Sequence, residues 1–225
     1  MNLWWRDDDA AADDPRLDRL LGIARRHRVP LVLAVIPEQL EPATIERILA
    51  CPGAAVVQHG LAHQDHRSAD GRKCELVDRL DQDEALVRAR ERLAGIFGER
   101  FHPVMVPPWN RIEPKLRARL PSLGFVGLST FAGRKPAPDV PDLRLVDTHV
   151  DTVRWQDGKR HLDAEAILAQ LAERAGPGPI GLLTHHGVTG AEGFLALDRA
   201  IGLLQDRPGV RFETAAGLFS RQASG

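Results

Sequence analysis

Short apolar runs alternate with amphipathic stretches along the chain, and this alternation restricts the possible fold more than any other feature. The runs from Leu31 to Ile36 and from Ala54 to Gln58 are typical of buried strands, and a helical pattern separates them. Strands that alternate with helices favour an α/β fold with a largely parallel sheet. Seven or eight such units in 225 residues favour a barrel or distorted barrel over a three-layer open sheet. We therefore predict one domain, residues 1–225, with no internal repeat.

Composition and charge exclude several classes of function. The net charge is −1, 43% of the residues are hydrophobic and 27% are charged, as in ordinary globular proteins. Neither a nucleic-acid partner nor an anionic membrane partner is expected, because no large basic excess exists. The start of the sequence lacks the pattern of a secretory signal, so we expect a cytoplasmic protein. Cys51 and Cys74 form no metal-binding motif, and a disulfide between them stays open.

Polar side chains recur where the predicted strands end. Asp7 to Asp9 follow a first strand over Leu3 to Arg6, and His59 ends the third strand. Pro108-Trp109 follow the fourth strand, and His185-His186 end a late one. The carboxyl ends of parallel strands meet on one face, which carries the active site in such folds. We therefore expect these residues to share one pocket.

The acidic cluster and two histidines indicate a metal site. Asp7 to Asp9 repel one another, and the alternatives are a helix-capping region before Pro15 or a cluster neutralised by a divalent cation. His59 and His63 are four residues apart, so two neutral imidazoles on one side of a helical turn can reach one ion. Two histidines and one carboxylate leave open positions on the metal, as hydrolytic sites require. This pattern predicts a metal-dependent hydrolase.

The histidine pair at the end of the late strand has two possible roles. One is a buried, hydrogen-bonded pair without a part in chemistry. The other is a general acid beside the metal that protonates a leaving group. Alternation along the strand favours one of the two in the pocket, and we prefer His185, while His186 stays open.

Taken in order, these segments resemble the motifs of the polysaccharide deacetylase (NodB-homology) family of metal-dependent carbohydrate esterases. The family's Asp-Asp pair is matched within Asp7 to Asp9, and its His-x-x-x-His segment by His59 to His63. Its proline–aromatic motif is similar to Pro108-Trp109, and its Leu-x-His strand end to Leu183-Thr-His185. The matches keep the family's order and span nearly the whole chain.

The resemblance implies a fold, a reaction and roles for individual residues. The fold would be a distorted (β/α) barrel of about seven parallel strands. The reaction would be removal of an acetyl group from an N-acetylated sugar or related amide. The expected partner is a carbohydrate or another small-molecule substrate, and the sequence leaves the oligomeric state open. Asp8 would be the base, with Asp7-Asp8 as the alternative pair. The other roles would be a divalent metal, usually zinc, on Asp9, His59 and His63, an oxyanion contact from the Trp109 backbone N–H, and a proton from His185.

Two departures from the family pattern leave the role of the base open. Val106 stands where the third motif has an arginine, and Asp151 with Trp155 matches the fourth motif only loosely. Candidates to replace the arginine are Arg6, Arg154 and His149. His66 and Glu75, in the loop after the histidine motif, are interpreted as solvated. Two alternatives to the deacetylase remain, an amidase acting on a non-carbohydrate C–N bond and a catalytically silent sugar-binding domain.

Overall fold

The structure is a computed structural model that describes residues 1–68, 70–79, 81–133 and 139–220. Its strands are β1 (Asn2–Ala10), β2 (Leu31–Val35), β3 (Ala54–His59), β4 (Phe101–Val106), β5 (Gly127–Leu128), β6 (Arg144–Leu145), β7 (Val150–Asp151), β8 (Val153–Arg154), β9 (Arg160–His161), β10 (Ile180–Thr184) and β11 (Arg211–Phe212). Its α-helices are α1 (Pro15–His27), α2 (Pro42–Leu49), α3 (Gln82–Phe97), α4 (Pro114–Arg119), α5 (Ala164–Glu173), α6 (Ala191–Gln205) and α7 (Ala215–Phe219).

A parallel sheet curls around a common interior. Its strands run in the order β6-β5-β4-β3-β2-β1-β10-β7, and β11 adds to β1. β6 and β7 are the two ends of one segment, 144–151, whose first end pairs with β5 and whose second end pairs with β10. Between these two ends, the Thr148 backbone N–H donates a hydrogen bond to the Thr130 carbonyl, and the His149 backbone N–H donates one to the Gly181 carbonyl. Because one segment joins both edges, the sheet closes into a distorted barrel with seven strand positions, which confirms the predicted fold.

The side chains of β1 divide between two cores. Leu3 and Trp5 point outward and pack with the helices, whereas Trp4 points into the barrel. The inner core also contains Phe219 of α7, which meets the Trp4 ring edge-on with the centroids 6.3 Å apart. Alternate residues of a strand face opposite sides, so Arg6 and Asp8 follow Trp4 along the barrel interior. The charged residues Arg6 and Asp8 therefore lie inside the barrel, next to the apolar inner core that contains Trp4 and Phe219.

One local prediction differs from the structure. The first strand continues through the acidic residues to Ala10, so Asp7 to Asp9 lie within β1 and do not follow it. The sequence left a disulfide between Cys51 and Cys74 open, and the structure has both cysteines buried and free. In the described part of the chain, every helix is too short or too polar to cross a bilayer.

Closure of the barrel around α7 requires a glycine on β5. A Cβ on Gly127 would lie 2.5 Å from Phe219 Cδ1 and 3.1 Å from Val104 Cγ2. We expect Gly127→Ala to destabilise the protein by about 1–3 kcal/mol, because the inner core is overpacked. Urea denaturation measures the change. Gly95→Ala is the matched control, since Gly95 lies exposed in α3 with open space around it. It should stabilise the protein by roughly 0.5–1 kcal/mol, and equal effects of the two variants would contradict this packing.

Candidate metal centre and active site

An irregularity near the end of β1 turns two adjacent carboxylates toward one pocket. Neighbouring residues of a regular strand point to opposite faces. The register between β1 and β2 shifts between Asp7 and Ala10, and Asp9 has a left-handed φ of 70°. Such a bulge redirects a side chain. Asp8 therefore faces the interior by alternation, and Asp9 reaches the same end of the barrel because of the bulge.

The structure brings together the three predicted metal ligands. Asp9 Oδ1 lies 3.1 Å from His59 Nε2 and 3.4 Å from His63 Nε2. One ligand atom from each of these residues can be chosen so that all three lie within 4.8 Å of one another. His59 ends β3, and His63 lies in the following turn with a left-handed φ of 55°. The cluster therefore combines two strand-borne side chains with one borne by a turn.

The donor set fits a divalent cation. His59 Nδ1 lies 2.9 Å from the Val106 carbonyl oxygen, which only accepts, so Nδ1 carries the hydrogen. In the neutral ring, the Nε2 lone pair then faces the Asp9 carboxylate, and a positive charge between them is required. A proton on Nε2 or a metal ion supplies that charge. Two imidazole nitrogens, one carboxylate oxygen and a carbonyl that orients a ligand ring are characteristic of zinc sites.

The charges of the cluster reinforce one another. Burial raises the pKa of Asp9, but the hydrogen bond and charge of His59 outweigh burial, so this pKa lies well below its ordinary value. Burial lowers the pKa of His59, but the hydrogen bond to Asp9 and the charges of Asp8 and Asp9 raise it above the ordinary value. Burial dominates at His63 and lowers its pKa. A positive charge beside Asp9, either a proton on His59 Nε2 or a metal ion, is therefore favoured.

Arg6 holds Asp8 inside the barrel. Its guanidinium donates two hydrogen bonds, Nε to Asp8 Oδ1 at 2.7 Å and Nη2 to Asp8 Oδ2 at 3.0 Å. Arg6 is fully buried and Asp8 is 5% exposed, and a third bond reaches Ser129 Oγ. Among the proposed replacements for the missing arginine, Arg154 is exposed and His149 accepts the Gly181 N–H. Arg6 alone of the three pairs with Asp8.

His185 faces a second carboxylate at the same end of the barrel. Its Nδ1 lies 3.6 Å from Asp151 Oδ1, which is an electrostatic contact longer than a hydrogen bond. Trp155 donates its indole N–H to Asp151 Oδ2 at 2.8 Å, and its ring meets the imidazole edge-on. Burial lowers the pKa of His185, but the charge of Asp151, with those of Asp8 and Asp9, raises it to about 9. The loosely matched fourth motif thus lies beside the predicted acid.

The neighbouring pair, Asp7 and His186, lies on the outer side of the barrel. Asp7 Oδ2 accepts hydrogen bonds from Thr184 Oγ1 and the His186 backbone N–H, and Oδ1 lies 2.5 Å from His186 Nδ1. Both residues are buried. Burial lowers the pKa of His186, but the charge of Asp7 outweighs burial and raises it. This pair fixes the end of β10 from outside, and the geometry favours Asp8-Asp9 over Asp7-Asp8 at the cluster.

The remaining predicted residues border the His63 turn. Trp109 has a left-handed φ of 53°, and its ring centroid lies 4.5 Å from that of His63. His66 is partly exposed beside Arg79. Glu75 is 1% exposed, so its interpretation as a solvated loop residue was wrong. Its sequence neighbours Cys74, Leu76 and Val77 are apolar, and a carboxylate within an apolar run was the overlooked sign of burial.

Comparisons with known proteins identify the same architecture in carbohydrate esterases. No protein-family model and no curated protein sequence matches this chain. A peptidoglycan N-acetylglucosamine deacetylase has 18% identity and a TM-score of 0.65, over 97% of this chain and 87% of its own. A family 4 acetyl xylan esterase from Clostridium thermocellum, crystallised with cobalt, has 17% identity and a TM-score of 0.65, over 97% and 90%. The resemblance to the polysaccharide deacetylase family that the sequence motifs indicated is thus confirmed at the level of the fold.

A third solved structure with this fold bears on activity. It is a mutant of a family 4 carbohydrate esterase pseudoenzyme with restored activity, with 15% identity and a TM-score of 0.66. The alignment covers 97% of this chain and 67% of that protein. The fold therefore occurs in both active and inactive proteins, so the function of this chain depends on its own side chains.

The contact between Asp151 and His185 predicts a measurable protonation state. Asp151→Asn should lower the pKa of His185 below about 9, because the side-chain contact with Asp151 is the largest of the interactions that raise this pKa. An NMR titration of the histidine rings in the metal-free protein measures this pKa. Asp157→Asn is the control, since Asp157 pairs with Arg160 in the same region.

The same contact predicts the sign of a stability change with pH. The folded pKa of about 9 exceeds the unfolded value near 6.5, so His185 stabilises the fold fully below about pH 6.5. That contribution is lost as the pH rises through about 9. Unfolding experiments across this window should show a smaller loss in Asp151→Asn than in the wild type, and an identical profile would contradict the assignment.

Proposed function

We propose that this chain is a metal-dependent deacetylase that hydrolyses the amide of an N-acetylated sugar or a related acetamide. The observation that carries the proposal is the convergence of three groups at one end of the barrel. These are the Asp9, His59 and His63 cluster, Asp8 held by Arg6, and His185 beside Asp151. A metal site, a base and an acid are the groups that amide hydrolysis requires.

The chemistry begins with the cation and its ligands. Asp9, His59 and His63 would hold a divalent ion, and zinc suits two imidazoles and one carboxylate. Bound there, the ion would supply acidification of water and polarisation of the acetyl carbonyl. The three ligands leave part of the coordination sphere open to substrate, as catalytic zinc sites do.

Asp8 is the proposed base. It takes a proton from the attacking water, while the two hydrogen bonds from Arg6 fix the plane of the carboxylate. Arg6 thus does the work expected of the arginine that Val106 replaces in the third motif. The Trp109 backbone N–H is proposed to stabilise the oxyanion that forms on the acetyl oxygen.

His185 is the proposed acid. Its raised pKa keeps the imidazolium populated at neutral pH, and the Asp151 contact orients the ring. The ring donates a proton to the nitrogen as the C–N bond breaks. The products are acetate and a free amine.

Two features support a sugar as the carrier of the acetyl group. Trp155 is 46% exposed beside His185, and Trp109 lies beside His63, so indole rings border the site on two sides. Aromatic rings of this kind stack on the apolar faces of sugars. The solved structures that share the fold include enzymes acting on N-acetylglucosamine and acetylated xylan.

The ligand and base assignments predict different losses in two variants. His63→Ala should lose both zinc and activity, because one of three ligands is removed. Asp8→Asn should keep zinc while kcat falls on the order of 10²- to 10⁴-fold, because only proton transfer is impaired. Zinc content after dialysis and acetate release measure the two effects. His66→Ala, in the same loop, should change neither. Wild-type zinc content in His63→Ala would overturn the site.

The choice of substrate separates the proposal from its alternatives. Zinc-loaded protein should release acetate from N-acetylglucosamine oligomers faster than from small non-carbohydrate amides, whereas protein stripped with a chelator should release none. Preference for the small amides would establish an amidase. Binding of the oligomers without acetate release by zinc-loaded protein would establish a silent sugar-binding domain.

A further inference from the structure

Glu75 is a buried carboxylate outside the proposed reacting groups. Its side chain is held within the protein with 1% of the residue exposed. It accepts three backbone hydrogen bonds, from Leu61 to Oε2 at 3.0 Å, and from Ala62 and Gln64 to Oε1 at 2.7 and 3.1 Å. These backbone donors, rather than a cation, satisfy the carboxylate in the described part of the chain.

The three donors surround one metal ligand. Ala62 and Gln64 are the residues on either side of His63, and both donate to the same oxygen of Glu75. His63 itself has a left-handed φ of 55°, which residues with a Cβ adopt rarely. The Glu75 carboxylate therefore holds the backbone on both sides of His63, the residue of the turn with the unfavourable left-handed φ.

The sequence of the turn is adapted to this contact with Glu75. Gly60 has a φ of +56°, and a Cβ at this position would lie 1.9 Å from Glu75 Oε2. Glycine is thus required both for the backbone conformation and for the approach of the carboxylate. Glu75 is anchored in turn, because its carbonyl accepts hydrogen bonds from the Gln82 side chain and the Val77 backbone.

Of the three ligands, His63 depends most on such support. Asp9 lies on β1 between Asp7 and Ala10, which both pair with β2, and His59 on β3 pairs with Val106 of β4. His63 lies outside any strand or helix. Ordering a free turn on binding would reduce metal affinity, whereas a turn ordered beforehand avoids that cost.

We propose that Glu75 is a positioning residue that holds the His63 turn in its ligand geometry before the cation binds, an inference that rests on the proposed metal site. Glutamine in its place leaves at least one donor unsatisfied. One amide orientation presents NH₂ to Leu61, and the other presents NH₂ to both Ala62 and Gln64. Changes to groups that support a metal ligand typically weaken metal binding 10- to 100-fold.

Two measurements on the full chain test the proposal. NMR hydrogen exchange in the metal-free protein reports on the Leu61, Ala62 and Gln64 amides, and a chromophoric chelator in competition gives the zinc Kd. In Glu75→Gln we expect faster exchange of these amides and a Kd raised 10- to 100-fold. Glu113→Gln is the matched control, because Glu113 also accepts a backbone N–H, from Asp78 at 2.8 Å, outside the turn. It should leave both quantities unchanged.

The outcomes separate this inference from the proposed function. Unchanged exchange, or faster exchange with an unchanged zinc Kd, overturns the role of Glu75 while the metal site stands. Wild-type protein that binds no zinc overturns both proposals. If Glu75→Gln does not fold, Glu75→Asp carries the same measurements, since it keeps the charge but shortens the reach by one methylene. Wild-type values in a folded Glu75→Asp would then overturn the inference.

Discussion

The active end of the barrel depends on a buried ion pair between residues two apart on one strand. Arg6 and Asp8 both face the interior, where Arg6 lies over the Trp4 ring, and both are buried. Removing either partner of such a pair leaves an uncompensated buried charge, which costs several kcal/mol. The pair is therefore a constraint on the whole interior. The apolar inner core around Trp4 lies on one side of these two charges, and the cluster of Asp9, His59 and His63 lies on the other.

The fold was predictable because it depends on a pattern repeated along the chain, whereas the site depends on single backbone irregularities. Alternating strands and helices indicated the barrel, and histidines at the strand ends indicated His59, His63 and His185. The bulge that turns Asp9 toward His59 has no sign in the sequence, since three consecutive aspartates are compatible with any register. The first strand was accordingly predicted to end before the acidic residues.

Contacts between distant segments were the least predictable part of the site. The pairing of Asp151 with His185 joins residues 34 positions apart, and only the motif order hinted at it. Glu75 was interpreted as solvated because the loop before it is polar and charged residues are mostly exposed, although its immediate neighbours are apolar. Its burial depends on three backbone donors that the His63 turn presents, and backbone donors are invisible in a sequence. Arg6 was predictable only as one of three candidates, because choosing among them required knowing which side chains face inward.

The two halves of the site rest on parts of the barrel with different resistance to opening. The metal ligands extend from β1 and β3, and the β2–β3 pairing alone spans five residue pairs. Asp151 belongs to the segment that closes the barrel, in which β6 and β7 each pair with a neighbouring strand over two residues and a single bridge joins Thr148 to Phe131. Regions held by fewer stabilising contacts open at a lower free energy than core strands. The closing segment beside His185 is therefore more weakly paired than the strands that carry the metal ligands. Transient opening of this segment would separate His185 from Asp151 and leave Asp9, His59 and His63 in place.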